Sequence, residues 1–290
     1  MKRVVILVLV WLAGTALGYF LARPIAQPPL PPETVHLAPI PRAQYRAKGP
    51  PLMPGHFRGV YLDLVKFALT DLLYEHDSET IHQREAGVDW PGRAVTMIGL
   101  KRLDNLHACI EEVLLHDVPG DFLEAGAWRG GACIFMRAVL KEYGNTTRKV
   151  WAADSFEGLP KPTSMIDFTQ KFHAMPYLAV SVEEVKANFQ RFGLLDDQAQ
   201  FLKGWFKDTL GKAPIEKLAI LRMDGDYYDS TMDTLVPLYP KLSPGGFCIA
   251  DDYHVVKGSK AAVDDYRAKH KITEPIQEID GSGIFWQKRK

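Results

Sequence analysis

Hydrophobic and polar positions divide the chain into three stretches of different character. From Val4 to Ala22 no residue is charged, and at about 1.5 Å per residue a helix of this length matches the core of a bilayer. We expect residues 1–23 to be a signal anchor; a cleaved signal peptide is the alternative, because Ala16 and Gly18 suit a peptidase. Residues 24–54 contain ten of the twenty prolines and are predicted to form an extended linker.

The remaining residues, 55–290, have the pattern of one folded domain. Apolar side chains recur at intervals of three and four residues within 55–117, which predicts an N-terminal helical lid. The segment Asp89–Gly99 contains Pro and Gly, which break a helix, and apolar residues that could close over a pocket. An ordinary connection between helices is the alternative interpretation of that segment.

Residues 118–290 are predicted to form an α/β core. Short apolar runs alternate with helical patterns, which is typical of a parallel sheet. The clearest helix is Ser181–Phe192, because Ser181 and Glu184 form a capping box. A hairpin at the C-terminus completes a mostly parallel, seven-stranded sheet, whose strands are predicted at 121–125, 149–154, 199–203, 218–223, 246–250, 274–279 and 283–287.

Composition narrows the classes of partner. Lys plus Arg and Asp plus Glu both total 35, so net charge does not favour nucleic acid as a partner. The three cysteines, Cys109, Cys133 and Cys248, lie in apolar runs without the spacing of a metal site. Buried free thiols are therefore the preferred interpretation, with a redox or zinc role as the alternative.

Two predicted strand ends carry residues suited to a nucleoside cofactor. Glu124 ends the first strand and is followed by Gly126 and Gly130, an arrangement that lacks the Gly-x-Gly-x-x-Gly of dinucleotide-binding proteins. In class I methyltransferases an acidic residue followed by Gly-x-x-x-Gly holds the methionine end of S-adenosylmethionine. Asp154 ends the next strand, where a carboxylate can accept hydrogen bonds from both ribose hydroxyls of either cofactor. The alternative for Asp154 is a cap of the following turn.

Carboxylates also follow the fourth and fifth predicted strands. Asp224 and Asp226 come after one strand, and Asp251 and Asp252 come after the other. Because the carboxyl ends of parallel strands meet at one edge of a sheet, these groups should lie together. Such a cluster repels itself unless a cation compensates it, and oxygen ligands favour Mg²⁺. A glycosidase pair is the rival chemistry.

Taken together, these motifs resemble the macrocin O-methyltransferase family, whose members methylate sugar hydroxyls in antibiotic biosynthesis. The resemblance spans roughly residues 58–287, in order, and excludes the anchor and the linker. It is carried by the segments Thr96–Leu100, Glu124–Gly131, Asp154–Pro160, Gly204–Leu210, Arg222–Thr231 and Ser243–Tyr253. Its implied fold is the Rossmann-like class I methyltransferase fold.

The resemblance also implies roles for individual residues. Asp224, Asp251 and Asp252 match the family's metal ligands, and Asp224 matches the proposed general base. Ala125 stands where many relatives have another small residue such as Gly, which is a mild departure. Residues matching the cofactor-binding positions are Thr96, Met97, Glu124, Gly126, Trp128, Arg129, Asp154, Ser155, Gly204 and Trp205.

We therefore expect an S-adenosylmethionine- and Mg²⁺-dependent O-methyltransferase acting on one hydroxyl of a vicinal diol in a sugar-containing or natural-product acceptor. His173 and His254 are alternative bases. An NAD-dependent oxidoreductase and a catalytically silent, membrane-tethered binding module are the competing classes. Because S-adenosylmethionine is used inside cells, we expect the anchor to hold the domain on the cytoplasmic face as a single-pass protein. The sequence leaves the oligomeric state open, a homo-oligomer included.

Overall fold

The computed structural model describes residues 55–74 and 76–289, so the predicted anchor (1–23) and proline-rich linker (24–54) lie outside the described residues. The helices in this part of the chain are α1 (Gly55–Leu69), α2 (Ser78–Ala86), α3 (Leu100–Leu115), α4 (Gly131–Glu142), α5 (Val182–Arg191), α6 (Phe206–Thr209), α7 (Tyr228–Leu238) and α8 (Lys257–His270). The strands are β1 (Asp121–Ala125), β2 (Val150–Asp154), β3 (Ala199–Lys203), β4 (Leu218–Met223), β5 (Leu242–Ala250), β6 (Gln277–Glu278) and β7 (Ile284–Gln287).

Over the described residues the strands form one seven-stranded sheet with the order β3-β2-β1-β4-β5-β7-β6. Strands β1 to β5 pair in parallel, whereas β7 runs antiparallel to β5 and to β6. The chain moves outward in one direction from β1 to β3 and then restarts beside β1 with β4. This reversal opens a crevice between the carboxyl ends of β1 and β4, where α/β proteins bind their ligands.

The apolar runs form strands because both faces of the sheet are covered. Every residue of β4 is buried, as expected for a central parallel strand with helices on both sides. One helical layer packs through Leu106, Ile110 and Phe135, and the opposite layer packs through Leu235 and Val263. The predicted helix after Ser181 is confirmed as α5, and the Ser181 hydroxyl accepts the Glu184 N–H at 3.2 Å.

Three elements differ from the sequence prediction by more than one residue. The N-terminal helical stretch is interrupted after Leu69, and α2 restarts where the Asp77 carboxylate accepts the Thr80 N–H at 2.8 Å. Strand β5 begins at Leu242 rather than at Gly246, because Leu242 pairs with Leu218 before the register shifts. The penultimate strand shortens to Gln277–Glu278.

The expectation of membrane attachment is corrected. Within residues 55–74 and 76–289 no helix is both long enough and apolar enough to cross a bilayer. The prediction rested only on the uncharged run in residues 1–23, which lies outside the described residues. Attachment through a transmembrane helix and the single-pass location on the cytoplasmic face are therefore withdrawn.

Candidate functional site

A cavity of about 230 Å³ opens at the carboxyl ends of the central strands. Its floor is formed by residues that directly follow β1, β2 and β4, and its sides come from the segment between β2 and α5 and from α6 and α7. Seven of the predicted site residues line it: Met97, Gly126, Trp128, Asp154, Ser155, Trp205 and Asp224.

Gly126 forms the turn by which the chain leaves β1. Its φ of 96° lies in the left-handed region, and its N–H donates to the Ala153 carbonyl at 2.9 Å. A Cβ atom at this position would lie 1.7 Å from the Asp224 carbonyl oxygen. Only glycine therefore allows the ends of β1 and β4 to approach this closely.

Asp154 links the two strand-end turns that border the cavity. Its Oδ2 accepts the N–H groups of Ala127 at 2.8 Å and Trp128 at 3.1 Å, and its Oδ1 accepts the Phe156 N–H at 2.8 Å. Burial raises the pKa of Asp154, and these hydrogen bonds oppose that shift. An ionised carboxylate offers about four acceptor positions, so backbone N–H groups occupy most of them.

An aromatic stack holds one wall together. The Trp128 indole donates to the Tyr177 carbonyl at 3.0 Å, and its ring centroid is 5.3 Å from that of Tyr177. Tyr177 in turn packs on Trp90, and its hydroxyl donates to the Pro91 carbonyl at 2.5 Å. Arg129 lies 4.3 Å over the Trp128 ring. The segment after α2 and the segment after β2 are thus joined beside Trp128.

Carboxylates gather at the ends of β4 and β5. Asp224, Asp251 and Asp252 each offer an oxygen, and the three oxygens lie within 4.8 Å of one another. Asp224 faces the cavity, whereas Asp251 and Asp252 are buried behind it. The Asp252 carboxylate also accepts the Asp226 N–H at 3.2 Å.

Two arginines partly neutralise this cluster. Arg222, buried in β4, donates to Glu124, to Asp251 and, at 2.9 Å, to Asp224. Arg102 from α3 donates to the other oxygen of Asp251. Within the described part of the chain, two guanidinium groups therefore face six carboxylates, those of Glu124, Asp224, Asp226, Asp251, Asp252 and Asp280.

The excess of negative charge changes the acidity of these groups. Burial, opposed by Arg222 and assisted by Asp224, raises the pKa of Glu124 to about 7. Burial and the neighbouring Asp251 raise the pKa of Asp224 to about 6. Burial and the surrounding carboxylates raise the pKa values of Asp226 and Asp252 well above their ordinary value. A further cation in the cluster would oppose all of these shifts.

The donor set fits a hard divalent cation. Three carboxylates converge, and the described residues provide no ion pair for Asp252. Both oxygens of Asp251 contact arginines, but each carboxylate oxygen retains a second acceptor position. Oxygen-only donors of this kind suit Mg²⁺.

Several predicted site residues lie behind the cavity. The Glu124 carboxylate is buried against Arg222 and Cys133, and Arg129 donates to the carbonyls of Gly92 and Ala94. Thr96 is buried, and its hydroxyl accepts the Ile98 N–H at 3.3 Å. None of these residues, nor Gly204, is among the cavity-lining residues of the described chain.

The alternative bases, His173 and His254, are likewise absent from the cavity lining of the described residues. His254 pairs with Glu278 at 2.5 Å on the surface.

The sequence prediction missed the two arginines. Arg222 interrupts an otherwise apolar strand, and Arg102 lies on the apolar face of α3 with Leu106 and Cys109. An arginine at an otherwise buried position indicates a buried carboxylate partner, and this signal was present in the sequence. Five further cavity-lining residues were also not predicted: Thr163, Tyr227, Asp229, Ser230 and Asp233.

The sheet order and the cavity at the carboxyl ends of β1, β2 and β4 define a class I methyltransferase, and the predicted fold is confirmed. The solved structure of the O-methyltransferase NovP has a TM-score of 0.78 and 48% sequence identity, over 80% of this chain and 100% of that chain.

The sequence model of the macrocin O-methyltransferase family (TylF) matches residues 58–288, and the chain belongs to this family. It is 52% identical over 243 residues, 79% of this chain and 93% of the relative, to 8-demethyl-8-(2,3-dimethoxy-alpha-L-rhamnosyl)-tetracenomycin-C 4'-O-methyltransferase of Streptomyces olivaceus. It is 48% identical over 245 residues, 79% of this chain and 96% of the relative, to mycinamicin III 3''-O-methyltransferase of Micromonospora griseorubida.

The chain is therefore an S-adenosylmethionine-dependent O-methyltransferase. The oxidoreductase and the catalytically silent binding module are set aside.

Proposed function

We propose that the enzyme transfers the methyl group of S-adenosylmethionine to a sugar hydroxyl of a glycosylated natural product, assisted by Mg²⁺. The observation that carries this proposal is the convergence of Asp224, Asp251 and Asp252 within 4.8 Å at a cavity bordered by Gly126 and Asp154. The substrates after which two relatives are named, a rhamnosyl tetracenomycin and mycinamicin III, support the acceptor class.

The cofactor would lie over the ends of β1 and β2. Gly126 allows a ligand to approach the backbone, and Met97, Trp128 and Trp205 provide apolar surface in the same cavity. Since backbone N–H groups occupy three acceptor positions of Asp154, we propose that it accepts one ribose hydroxyl rather than two. Glu124, Arg129, Thr96 and Gly204 would act by fixing the surrounding loops, because they lie behind the cavity-lining residues.

Asp224 is the proposed proton acceptor. Its Oδ2 accepts from Arg222, which leaves Oδ1 free to receive the proton of the acceptor hydroxyl. Without a bound cation the pKa of Asp224 is raised to about 6 by burial and Asp251, and a cation in the cluster would oppose that shift. The group is ionised at neutral pH in either case, as a proton acceptor must be. Displacement at a methyl group also requires the oxygen to be held in line with the carbon–sulfur bond, and the walls around Asp224 would hold it there.

The same three aspartates would hold the metal ion. Bound there, Mg²⁺ would supply positive charge that favours ionisation of a nearby hydroxyl. Arg222 and Arg102 fix the orientation of Asp251 whether or not the ion is present. The expected vicinal diol in the acceptor is part of this proposal.

Polar side chains that also line the cavity would contact the acceptor. Asp229, in the first turn of α7, accepts the Thr163 hydroxyl at 2.5 Å and the Ser164 N–H at 3.1 Å. This contact joins the segment after β2 to α7, so both border one acceptor space with Tyr227 and Ser230. We likewise propose that residues 55–290 form the catalytic domain, divided into a lid (55–117) and a core (118–290).

The test is Asp252→Asn, which keeps the side-chain shape and one oxygen but removes the negative charge of this proposed metal ligand. We expect Mg²⁺-dependent methyl transfer to a glycosylated acceptor, followed by mass spectrometry, to be abolished. S-adenosylmethionine affinity, measured by calorimetry, should be nearly unchanged, because Asp252 does not line the cavity. The control is Asp197→Asn, whose exposed side chain lies before β3.

Activity of Asp252→Asn that survives chelation would contradict the metal role. An acceptor in which the neighbouring hydroxyl is removed tests the diol, since unchanged turnover on it would exclude that requirement.

A further inference from the structure

Arg102 brings the helical layer into contact with the carboxylate cluster. It lies in the first turn of α3, and its side chain is 7% exposed. Its Nη1 donates to Asp251, a residue 149 positions away along the chain. The opposite oxygen of Asp251 accepts from Arg222, so the carboxylate is held from two sides.

Two further groups fix the guanidinium of Arg102. Its Nη2 donates to the Gly87 carbonyl at 2.6 Å, at the end of α2. Its Nε lies 3.1 Å from the Asp280 carboxylate in the turn between β6 and β7. Because a planar guanidinium has donors in fixed directions, the hydrogen bonds of Nη1 and Nη2 determine its orientation, and the Asp280 carboxylate adds an ion pair beside Nε without a hydrogen bond to it.

The neighbouring backbone is shaped to admit this side chain. Gly87 has a φ of 62°, and a Cβ atom there would lie 2.5 Å from Arg102 Nη2. Asp280 Oδ1 accepts the N–H groups of Ser282 and Gly283, both at 2.8 Å, which turns its other oxygen toward Arg102. The Ser282 hydroxyl then donates to the Asp251 carbonyl at 2.8 Å.

We propose that Arg102 is a positioning residue of the metal site, which orients Asp251 for metal binding through its contacts with Gly87 and Asp280. This inference rests on the proposed metal role of Asp224, Asp251 and Asp252. Removal of groups that orient metal ligands typically weakens metal affinity about 10- to 100-fold. The helical layer is then a part of the metal site, not only a cover for the cavity.

The test uses Arg102→Lys in the full chain. Lysine keeps the positive charge, so electrostatic repulsion of the ion is unchanged, but one ammonium group cannot make all three contacts. We expect calorimetry with Mg²⁺ alone to show an affinity about 10-fold weaker or more. S-adenosylmethionine affinity should be unchanged, and most of kcat should return at saturating Mg²⁺.

Arg137→Lys is the matched control. Arg137 is 5% exposed and pairs with Asp196 at 2.6 Å, and neither residue lines the cavity. Its replacement should leave Mg²⁺ affinity at the wild-type value while altering thermal stability. If Arg102→Lys does not fold, Asp280→Asn tests the same contact, since it keeps the oxygen that accepts from Ser282 and Gly283. We expect Asp280→Asn also to weaken Mg²⁺ binding.

The outcomes separate the two proposals. A wild-type chain that binds no Mg²⁺ rejects the metal site itself and this inference with it. If the wild-type chain binds Mg²⁺ and the folded Arg102→Lys variant binds it with equal affinity, only the role of Arg102 is overturned. If Arg102→Lys does not fold, wild-type Mg²⁺ affinity in Asp280→Asn also overturns the role of Arg102. Mg²⁺ binding that is weakened as much in the control Arg137→Lys as in Arg102→Lys overturns it as well.

Discussion

Replacing Arg222 with methionine would leave Glu124, Asp224 and Asp251 without the cation that they share. Arg222 is 1% exposed, so water cannot take its place without rearrangement of β4. Removing one partner of a buried ion pair costs about 3–5 kcal/mol, and we expect the upper end because Glu124 and Asp224 lose this arginine together, while Asp251 keeps Arg102. A loss of about 5 kcal/mol would lower Tm by roughly 10–20 °C in a domain of this size.

The loss should depend on pH. Glu124 and Asp224 already have pKa values raised to about 7 and about 6 from ordinary values of 4.5 and 3.8. At pH values between the ordinary pKa and the raised pKa of such a group, the folded chain binds more protons than the unfolded chain. The contribution of the group to the free energy of unfolding is therefore complete below its ordinary pKa and is lost as pH rises through its raised pKa. Arg222→Met raises both values further, so its deficit should be larger at about pH 8 than at about pH 5.

Thermal and urea unfolding without metal ions, at a series of pH values, measures both effects. Arg137→Met is the control: its partner Asp196 is 40% exposed and regains water when the pair is broken. Because Arg137 lowers the pKa of Asp196, the deficit of that variant should be smaller and flat between about pH 5 and 8. The reasoning would be refuted if Arg222→Met lost no more unfolding free energy than Arg137→Met, or if its loss were equally independent of pH.

Two further predictions concern the core around the site. Gly126→Ala should cost roughly 3–5 kcal/mol in urea unfolding, because its Cβ would lie 1.7 Å from the Asp224 carbonyl oxygen. Gly193→Ala, with a φ of 68° but no atom within 4 Å, should cost only about 1–2 kcal/mol, and equal losses would contradict the steric argument. Burial raises the pKa of Cys109 to about 12 and holds that of Cys133 well above its ordinary value. Neither thiol should react with a thiol reagent until the chain is unfolded, and prompt labelling of the native protein would disprove this.

Residues at strand ends were predictable from the sequence. Asp224, Asp251 and Asp252 follow buried strands, and parallel strands bring their carboxyl ends to one edge, so their convergence within 4.8 Å follows from the pattern. The place of Gly126 at the end of β1 was evident for the same reason. The anchor prediction, in contrast, depended on composition alone and had no support from the folded domain.

Partners of buried charges were not predictable in this way. Arg102 and Asp251 are 149 residues apart, and no local period or cap connects them. The sequence suggested a metal ion as the cation that neutralises the carboxylates, whereas the structure adds Arg102 and Arg222 to that balance. The sequence also did not show that the Glu124 carboxylate, predicted at the cofactor, pairs with Arg222.

The sequence by itself determined the order of helices and strands, the strand-end carboxylates and the family, because these depend on periodicity and motifs that are local in the chain. Only the tertiary structure decided which of those carboxylates face the cavity and which are held by arginines. In the folded chain the backbone N–H groups of Ala127, Trp128 and Phe156 also occupy most acceptor positions of the Asp154 carboxylate. The physical reason is that a charged side chain finds its partner through packing between distant segments, and that packing exists only in the folded chain.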